Sequence, residues 1–473
     1  MLPTYYFSID LGATSGRTII ARYDGGRVEM RELTRFETTQ IHRNGHIFWD
    51  LPKLYDDILL ALHKVKAEGI CLTSIGIDTW GCDVAFFDKD GELIGLPYCY
   101  RDPHTDGAME RYFAECMPKE ELYERTGIQF MPFNTLFQLD TIRRNDKDAW
   151  LRADKILFMP DALIYMLTGE SICERTDAST SQMFNPRTGD LDAKILGSIG
   201  LERARFGRLV SPGEQVGVLS RKVQEQTGLG PVPVVAVGSH DTASAVASVP
   251  AKDGNYAYLS CGTWSLLGIE SPTPIINEAS LAHNFTNEGG LDGTVRFLKN
   301  ITGLWLLEQC KKEWMDGQVP ANVNELNALC LHSQCQSLIN PDDPRFAHPD
   351  SMTAAIDSYL SETGQQPAQT PADYIRVIFR SLAKRYAEVV EMLRTITPVD
   401  IQRLHVIGGG SQNLYLMQFA AEALRIPVIA GPKEGTALGN ALVQIRAAGL
   451  VNSLEEMRAI VGRSIELKTY QLK

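Results

Sequence analysis

Long apolar runs are missing from this 473-residue chain, and no stretch approaches the roughly 18 apolar residues of a membrane span. The opening "MLPTYYFSIDLG" has neither the basic flank nor the apolar segment of a secretory signal, so a cytoplasmic location is expected. Positive charge is also scarce. Against 58 Asp and Glu stand 46 Lys and Arg, a net charge of −12, with both signs interspersed. That balance excludes nucleic acid and membrane surfaces as partners, since each calls for a basic stripe. A single polyanionic ligand remains compatible, because a few oriented amides bind phosphate in an acidic protein. The nine cysteines are odd in number and mostly isolated in apolar runs, as expected of a reduced compartment. Cys330-x-His332-x-x-Cys335 has half the ligands of a metal site but no second pair nearby, and reads as buried thiols. GxxxxGK[ST], GxSxG and HExxH are absent, and no GxGxxG follows a strand. Phosphate-loop NTPase, dinucleotide-binding, α/β-hydrolase and zinc-protease readings lose support together.

What is present is an ordinary globular composition, 44% hydrophobic and 22% charged, at a length that suggests two domains of roughly 200–250 residues. The polar break Pro250, Lys252, Asp253, Gly254 sets the expected boundary, giving domains 1–249 and 250–473. Residues 5–36 read as three strands around tight turns. Leu51, Leu54, Ile58, Leu62 and Val65 fall at helical spacing. "NYAYLSCGTWSLLGIE" at 255–270 repeats the strand, small-residue turn, strand pattern of 5–22, as a duplicated fold would. Ile375, Ile378, Leu382, Val389 and Leu393 mark a long amphipathic helix.

Several stretches carry polar chemistry at strand ends. In "DLGATSGR", Gly12 and Gly16 allow a tight turn and close backbone approach, Thr14 and Ser15 supply hydroxyls and amides, and Arg17 supplies a charged fork. Together they suit phosphate oxygens, with Asp10 available to Mg²⁺. The same residues would serve equally well as a capped hairpin turn. "SCGTWS" places Gly262 and Thr263 at the equivalent turn of the second half, where a plain turn is the simpler reading. "VIGGGSQN" offers Gly408, Gly409 and Gly410 as bare backbone against a base or ribose, or as a strand–helix connection with Asn413 as cap. "IDTWGCD" sets Asp78, Trp80, Gly81 and Asp83 together, a group suited to a small polyol or to a packed tryptophan with turn residues. Trp305 in "LKNITGLWLL" reads mainly as core.

"VPVVAVGSHDTASAV", residues 232–246, ends an apolar strand at Ser239-His240-Asp241-Thr242 just where a helix begins. Consecutive Ser, His and Asp side chains diverge and form no hydrolytic relay. Asp241 is then either a helix cap or a base for phosphoryl transfer, held ionised near a helix start.

In order, "DLGATSGR", "GIDTWGCD", "YRDPHT", "GIQFMPFNTLFQL", "SHDTASAV", "LSCGTWSLLG", "NEGG…LKNITGLWLL" and "VIGGGSQN" resemble the FGGY carbohydrate kinases over nearly the whole length. Within them the chain is similar to the branch acting on L-rhamnulose. The resemblance implies an α/β fold of two ribonuclease-H-like domains of the actin/sugar-kinase/Hsp70 type, with an active site in the cleft between them. It implies transfer of phosphate from ATP, with Mg²⁺, to the C1 hydroxyl of a ketose. By motif, Ala13, Thr14, Ser15, Gly16 and Arg17 look like the first phosphate loop, Thr263 the second, and Gly410 part of the adenosine site. Gly81, His240, Asp241, Thr242 and Asn300 look like sugar contacts, with Asp241 the base. Two departures stand out. Gln138 and Thr141 replace a Lys and a Trp of many members, and Glu308 takes a nucleotide-side position where a Gln is expected. L-fuculose or L-xylulose is the alternative substrate. A non-catalytic nucleotide sensor is the rival from another class, disfavoured by an intact Asp241 and first loop. A monomer or homodimer is expected.

Overall fold

The computed structural model of the chain describes residues 3–314, 320 and 322–472. The chain divides into two compact units. The first comprises Met1–Ser248, Glu270–Phe297 and Thr436–Ser464; the second comprises Val249–Ile269, Leu298–Gly435 and Ile465–Lys473.

In the first unit the apolar opening stretch forms β1 (Thr4–Leu11), which turns at glycine into antiparallel β2 (Ser15–Tyr23) and then β3 (Val28–Glu37). Parallel to β1 on its other side lies β4 (Leu72–Thr79), followed by β6 (Pro233–Val235) and the antiparallel edge strand β5 (Gln215–Val218). Among the described residues the sheet order is β5-β6-β4-β1-β2-β3. β1 is covered on both faces, with Tyr6, Phe7, Ile9 and Leu11 fully buried. That explains why it reads as a continuous apolar run and not as an alternation. The helix Leu51–Ala67 starts where the Asp50 carboxylate accepts from the Lys53 amide at 3.1 Å, and it buries the five positions at helical spacing together with Ala61. Each such side chain contributes roughly 1.5–3 kcal/mol of burial.

The second unit repeats the layout. β7 (Ala257–Cys261) and β8 (Trp264–Ser271) form an antiparallel hairpin, and β7 continues in parallel to β9 (Leu404–Ile407) and β10 (Val428–Ala430). β11 (Lys468–Tyr470) closes on β10 in antiparallel fashion. The expected long helix runs Pro371–Ile396, with a Thr370/Asp373 capping box, and buries Ile375, Ile378, Leu382, Val389 and Leu393. Each half therefore carries a hairpin whose first strand also pairs in parallel, which places two turns at equivalent strand ends. The nine cysteines are free thiols, with Cys330 and Cys335 buried as anticipated. No helix among the described residues is long and apolar enough to cross a membrane.

Candidate active site

The hairpin register sets Asp10 of β1 opposite Arg17 of β2. Arg17 Nε and Nη2 both donate to Asp10 Oδ2, at 2.9 and 2.7 Å. The two residues that the sequence suggested for separate roles, metal and phosphate, are thus joined as one ion pair. Between them the turn is braced by Thr38, whose hydroxyl donates to the Gly12 carbonyl at 2.7 Å and whose amide donates to the Thr14 carbonyl at 3.3 Å. Ala13 and Ser15 are half-buried and Thr14 is exposed. Gly16 owes its missing side chain to packing: a Cβ there would overlap the Phe36 ring and stand 2.7 Å from Leu11 Cδ2.

On the other side of β1, Asp78 of β4 is in register with Asp10. It is fully buried, and its Oδ2 accepts from Asn440 Nδ2 at 2.6 Å while Oδ1 has no hydrogen-bond partner. Burial, reinforced by the nearby charge of Asp10, pushes its pKa well above the usual carboxylate range. Asn440 belongs to the helix Gly435–Ala447 and is held in turn by Gln444, whose Nε2 donates to its Oδ1 at 2.7 Å. Gln444 Oε1 accepts from the Ser74 hydroxyl at 2.7 Å.

The stretch 239–242 extends the edge of β4. The Thr79 amide donates to the Ser239 carbonyl at 2.9 Å, and His240 bridges in parallel to Thr79. Asp241 is the first residue of the helix Asp241–Ala247, whereas His240 occupies the cap position and makes no side-chain cap bond. The cap explanation for Asp241 therefore falls away. Its Oδ1 accepts from the Thr242 hydroxyl at 3.1 Å, and 33% of its side-chain surface stays open. Burial raises its pKa, with His240 lowering it and Asp10 raising it further. The expected ionising influence of a helix start is outweighed by desolvation. Such a carboxylate is a stronger base than a solvated one, and it is still reachable.

His240 lies beside it, with Nε2 3.5 Å from Asp241 Oδ1. Its Nδ1 is 3.1 Å from Nη2 of the fully buried Arg296 and 3.4 Å from Glu288 Oε2. Gly81 is close to the same ring: a Cβ there would sit 3.0 Å from Thr180 Oγ1 and 3.3 Å from His240 Cδ2. Asp83, which the sequence grouped with a polyol site, turns inward. Its Oδ2 accepts from Trp49 Nε1 at 2.5 Å, Trp80 Nε1 at 3.0 Å and the Tyr100 amide at 3.0 Å, while Oδ1 accepts from Gln138 Nε2 at 2.8 Å. Burial lifts its pKa to about 7. Gln138 thus serves as a buttress here. Nothing in a local window marks Arg296, Glu288 or Asn440, whereas the register of the predicted hairpin was the signal that could have paired Asp10 with Arg17.

In the second unit, Thr263 sits at the β7–β8 turn, and its carbonyl accepts from the Trp305 amide at 3.1 Å while Gly262 accepts from the Leu304 amide at 2.9 Å. The strand carrying half-buried Asn300 leads into that contact. Gly410 packs on the end of β7, where a Cβ would overlap Cys261 Sγ and lie 2.9 Å from the Cys261 carbonyl oxygen. Thr263, Asn300 and Gly410 therefore share one end of the second sheet. Glu308 lies one turn along the helix Trp305–Glu313, with both carboxylate oxygens 2.9 Å from Lys311 Nζ. Asn413 stands at a helix start but makes no cap bond, and Trp305 is half-buried, its Nε1 donating to the Phe346 carbonyl at 3.3 Å.

Among the described residues no group of three or more His, Cys, Asp and Glu could hold a metal alone. Asp10, with Asp78 presenting an unpartnered oxygen behind it, fits the sparser donor set of magnesium, which takes one or two carboxylates and completes its shell with phosphates and water.

Two family profiles match the chain: the FGGY family of carbohydrate kinases, N-terminal domain, over residues 5–247, and its C-terminal domain over residues 257–448. A protein of Bacteroides thetaiotaomicron named rhamnulokinase is 50% identical over 98% of this chain and 95% of its own length. A rhamnulokinase of Pectobacterium carotovorum is 43% identical over 98% of this chain and 92% of its own. The solved structure of a ligand-bound xylulose kinase from Lactobacillus acidophilus covers 99% of this chain and 94% of its own, with a TM-score of 0.80 at 14% identity. That likeness speaks to the fold alone.

Proposed function

The chain belongs to the FGGY family of carbohydrate kinases, and we propose that it transfers the γ-phosphoryl group of ATP to the C1 hydroxyl of L-rhamnulose, forming L-rhamnulose 1-phosphate and ADP in rhamnose breakdown. The substrate follows from the relatives named rhamnulokinase that match nearly end to end. The observation that carries the chemistry is Asp241, a desolvated carboxylate of raised pKa with a third of its side chain open. As the C1 oxygen attacks the γ-phosphorus, Asp241 takes the hydroxyl proton, the new P–O bond forms, and the bond to the β-phosphate oxygen breaks to release ADP.

Gly81, His240, Thr242 and Asn300 are assigned to the sugar with Asp241. Ala13, Thr14, Ser15, Gly16 and Arg17 are assigned to the phosphates, and Thr263, Glu308 and Gly410 to the nucleotide. Glu308 would have to share its carboxylate between Lys311 and the ligand. Asp10 would hold Mg²⁺, which when bound neutralises charge on the phosphate oxygens. Asp10 also holds the Arg17 fork in place through two hydrogen bonds. Residues 1–249, with the first phosphate loop, would then be the sugar-binding domain and 250–473 the nucleotide-binding domain, although residues 270–297 and 436–464 pack with the first unit. Nine free thiols fit a cytoplasmic enzyme.

The test measures ADP release with L-rhamnulose, L-fuculose and L-xylulose, and locates the phosphate on the product by NMR. L-Rhamnulose should give the highest kcat/KM and a 1-phosphate. Asp241→Asn should keep ATP and sugar binding while kcat falls on the order of 10²- to 10⁴-fold. Full turnover by that variant, or preference for another ketose, would overturn the assignment.

A further inference from the structure

We infer that Arg296, with Glu288, is a positioning residue that fixes the proton of His240 on Nε2, so that the ring presents a donor beside Asp241. The inference rests on the kinase reading above for its catalytic meaning, but its geometry stands alone. A guanidinium carries donors and no acceptor. Arg296 Nη2 lies 3.1 Å from His240 Nδ1, so that nitrogen accepts and the neutral ring carries its hydrogen on the other nitrogen. A hydrogen on Nδ1 could reach toward Glu288 Oε2 at 3.4 Å, but it would face the guanidinium at the shorter distance.

Arg296 is itself pinned. It is fully buried, its Nε donates to the Gly289 carbonyl at 2.8 Å, and its Nη2 lies 3.2 Å from Glu288 Oε2. From the opposite side the His240 backbone amide donates to Thr176 Oγ1 at 3.2 Å. The ring therefore has one orientation and one tautomer. Its Nε2 hydrogen points to the side where Asp241 Oδ1 lies 3.5 Å away, too long for a good hydrogen bond and open to sharing with a ligand oxygen. The oxygen on C2 of a ketose is next to the C1 hydroxyl that meets Asp241, and as a carbonyl it can only accept. The other tautomer would turn a lone pair towards both that oxygen and the carboxylate.

The direct test needs no variant. A ¹⁵N-histidine spectrum of the full-length protein, with the His240 signal identified by its loss in His240→Gln, should show the hydrogen on Nε2. A hydrogen on Nδ1 overturns the inference outright. Arg296→Gln, whose amide can donate or accept, should shift the ring toward a mixture and lower kcat/KM for the ketose on the order of 10- to 100-fold, with KM for ATP unchanged. Arg296→Lys, which keeps a donor-only cation, should recover part of that loss. A double-mutant cycle separates orientation from general scaffolding: in a His240→Gln background, Arg296→Gln should cost little more. Additive losses would mean that Arg296 acts elsewhere and would refute the inference. If L-rhamnulose is simply not a substrate, the spectrum still decides the tautomer, so the two failures are distinguishable.

Discussion

Replacing Gly439 with alanine sets two physical effects against each other. Gly439 lies inside the helix Gly435–Ala447, where exchange of glycine for alanine normally favours a helix by about 1 kcal/mol. Its missing Cβ, however, faces the backbone of the helix Asp241–Ala247. A carbon there would overlap the Ser244 carbonyl oxygen and stand 2.6 Å from the Ser244 carbonyl carbon. The oxygen is the tighter contact, far inside the separation of about 3.2 Å or more that a carbon–oxygen pair prefers, so one helix must retreat by roughly 1.5 Å. No flexible side chain can absorb the shift, because the obstructing atoms are main chain. Overpacking of this kind costs about 1–3 kcal/mol and reaches the upper end against backbone, so the net sign is destabilising by roughly 1–2 kcal/mol. The helix that is pushed begins at Asp241, the proposed base, and a displacement of about 1 Å or more at such a group costs on the order of 10²-fold in rate. Urea unfolding and ADP-release kinetics on Gly439→Ala read both quantities. A variant as stable as the parent with unchanged kcat would refute the close-packing argument and the coupling of these two helices.

Desolvation raises the Asp241 pKa above its ordinary 3.8, and as the proposed base it must be ionised to work, so kcat should fall with acid already at a pH above that value. A pH–rate profile flat down to about pH 4 would contradict this. Asp83→Leu removes both acceptor oxygens and leaves the Trp49, Trp80, Tyr100 and Gln138 donors facing a hydrocarbon, and should cost at least about 1–3 kcal/mol. Its readout is the emission of Trp49 and Trp80, which should shift as both indoles lose their shared partner; unchanged emission and stability would count against the arrangement. Gly81→Ala should raise KM for the ketose several-fold and leave KM for ATP alone, because Thr180 and the locked His240 ring leave the methyl 3.0–3.3 Å from its neighbours. Equal effects on both substrates would refute that placement.

The strands and helices that the sequence revealed are those whose information is local. β1 and β2 show as apolar runs on either side of a glycine turn, and the helix 51–67 shows as five apolar positions at one spacing. Asp241 was visible because a carboxylate after an apolar strand is chemically conspicuous. What stayed hidden depends on distance along the chain. Asp78 meets Asn440 362 positions later, and His240 meets Arg296 56 positions later; neither partner has a local mark. Asp83 stood open between a polyol site and packing around Trp80, and only the fold shows that Trp49, Tyr100 and Gln138 converge on it from three other segments. Gly16 teaches the converse, since a glycine in a phosphate-loop pattern is required here by Phe36.

The first unit is assembled from three stretches of chain, the last ending at Ser464. During synthesis at about 5–20 residues per second, the 216 residues between Ser248 and Ser464 take roughly 10–40 s to emerge. For that interval Asp78 has no Asn440 and the helix bearing Asp241 has no neighbour at Ser244. A ribosome that stalls or a message cut short before that stretch would leave a chain with its acids written but unbuttressed, so the surroundings of Asp241 are complete only once residues 436–464 have been made.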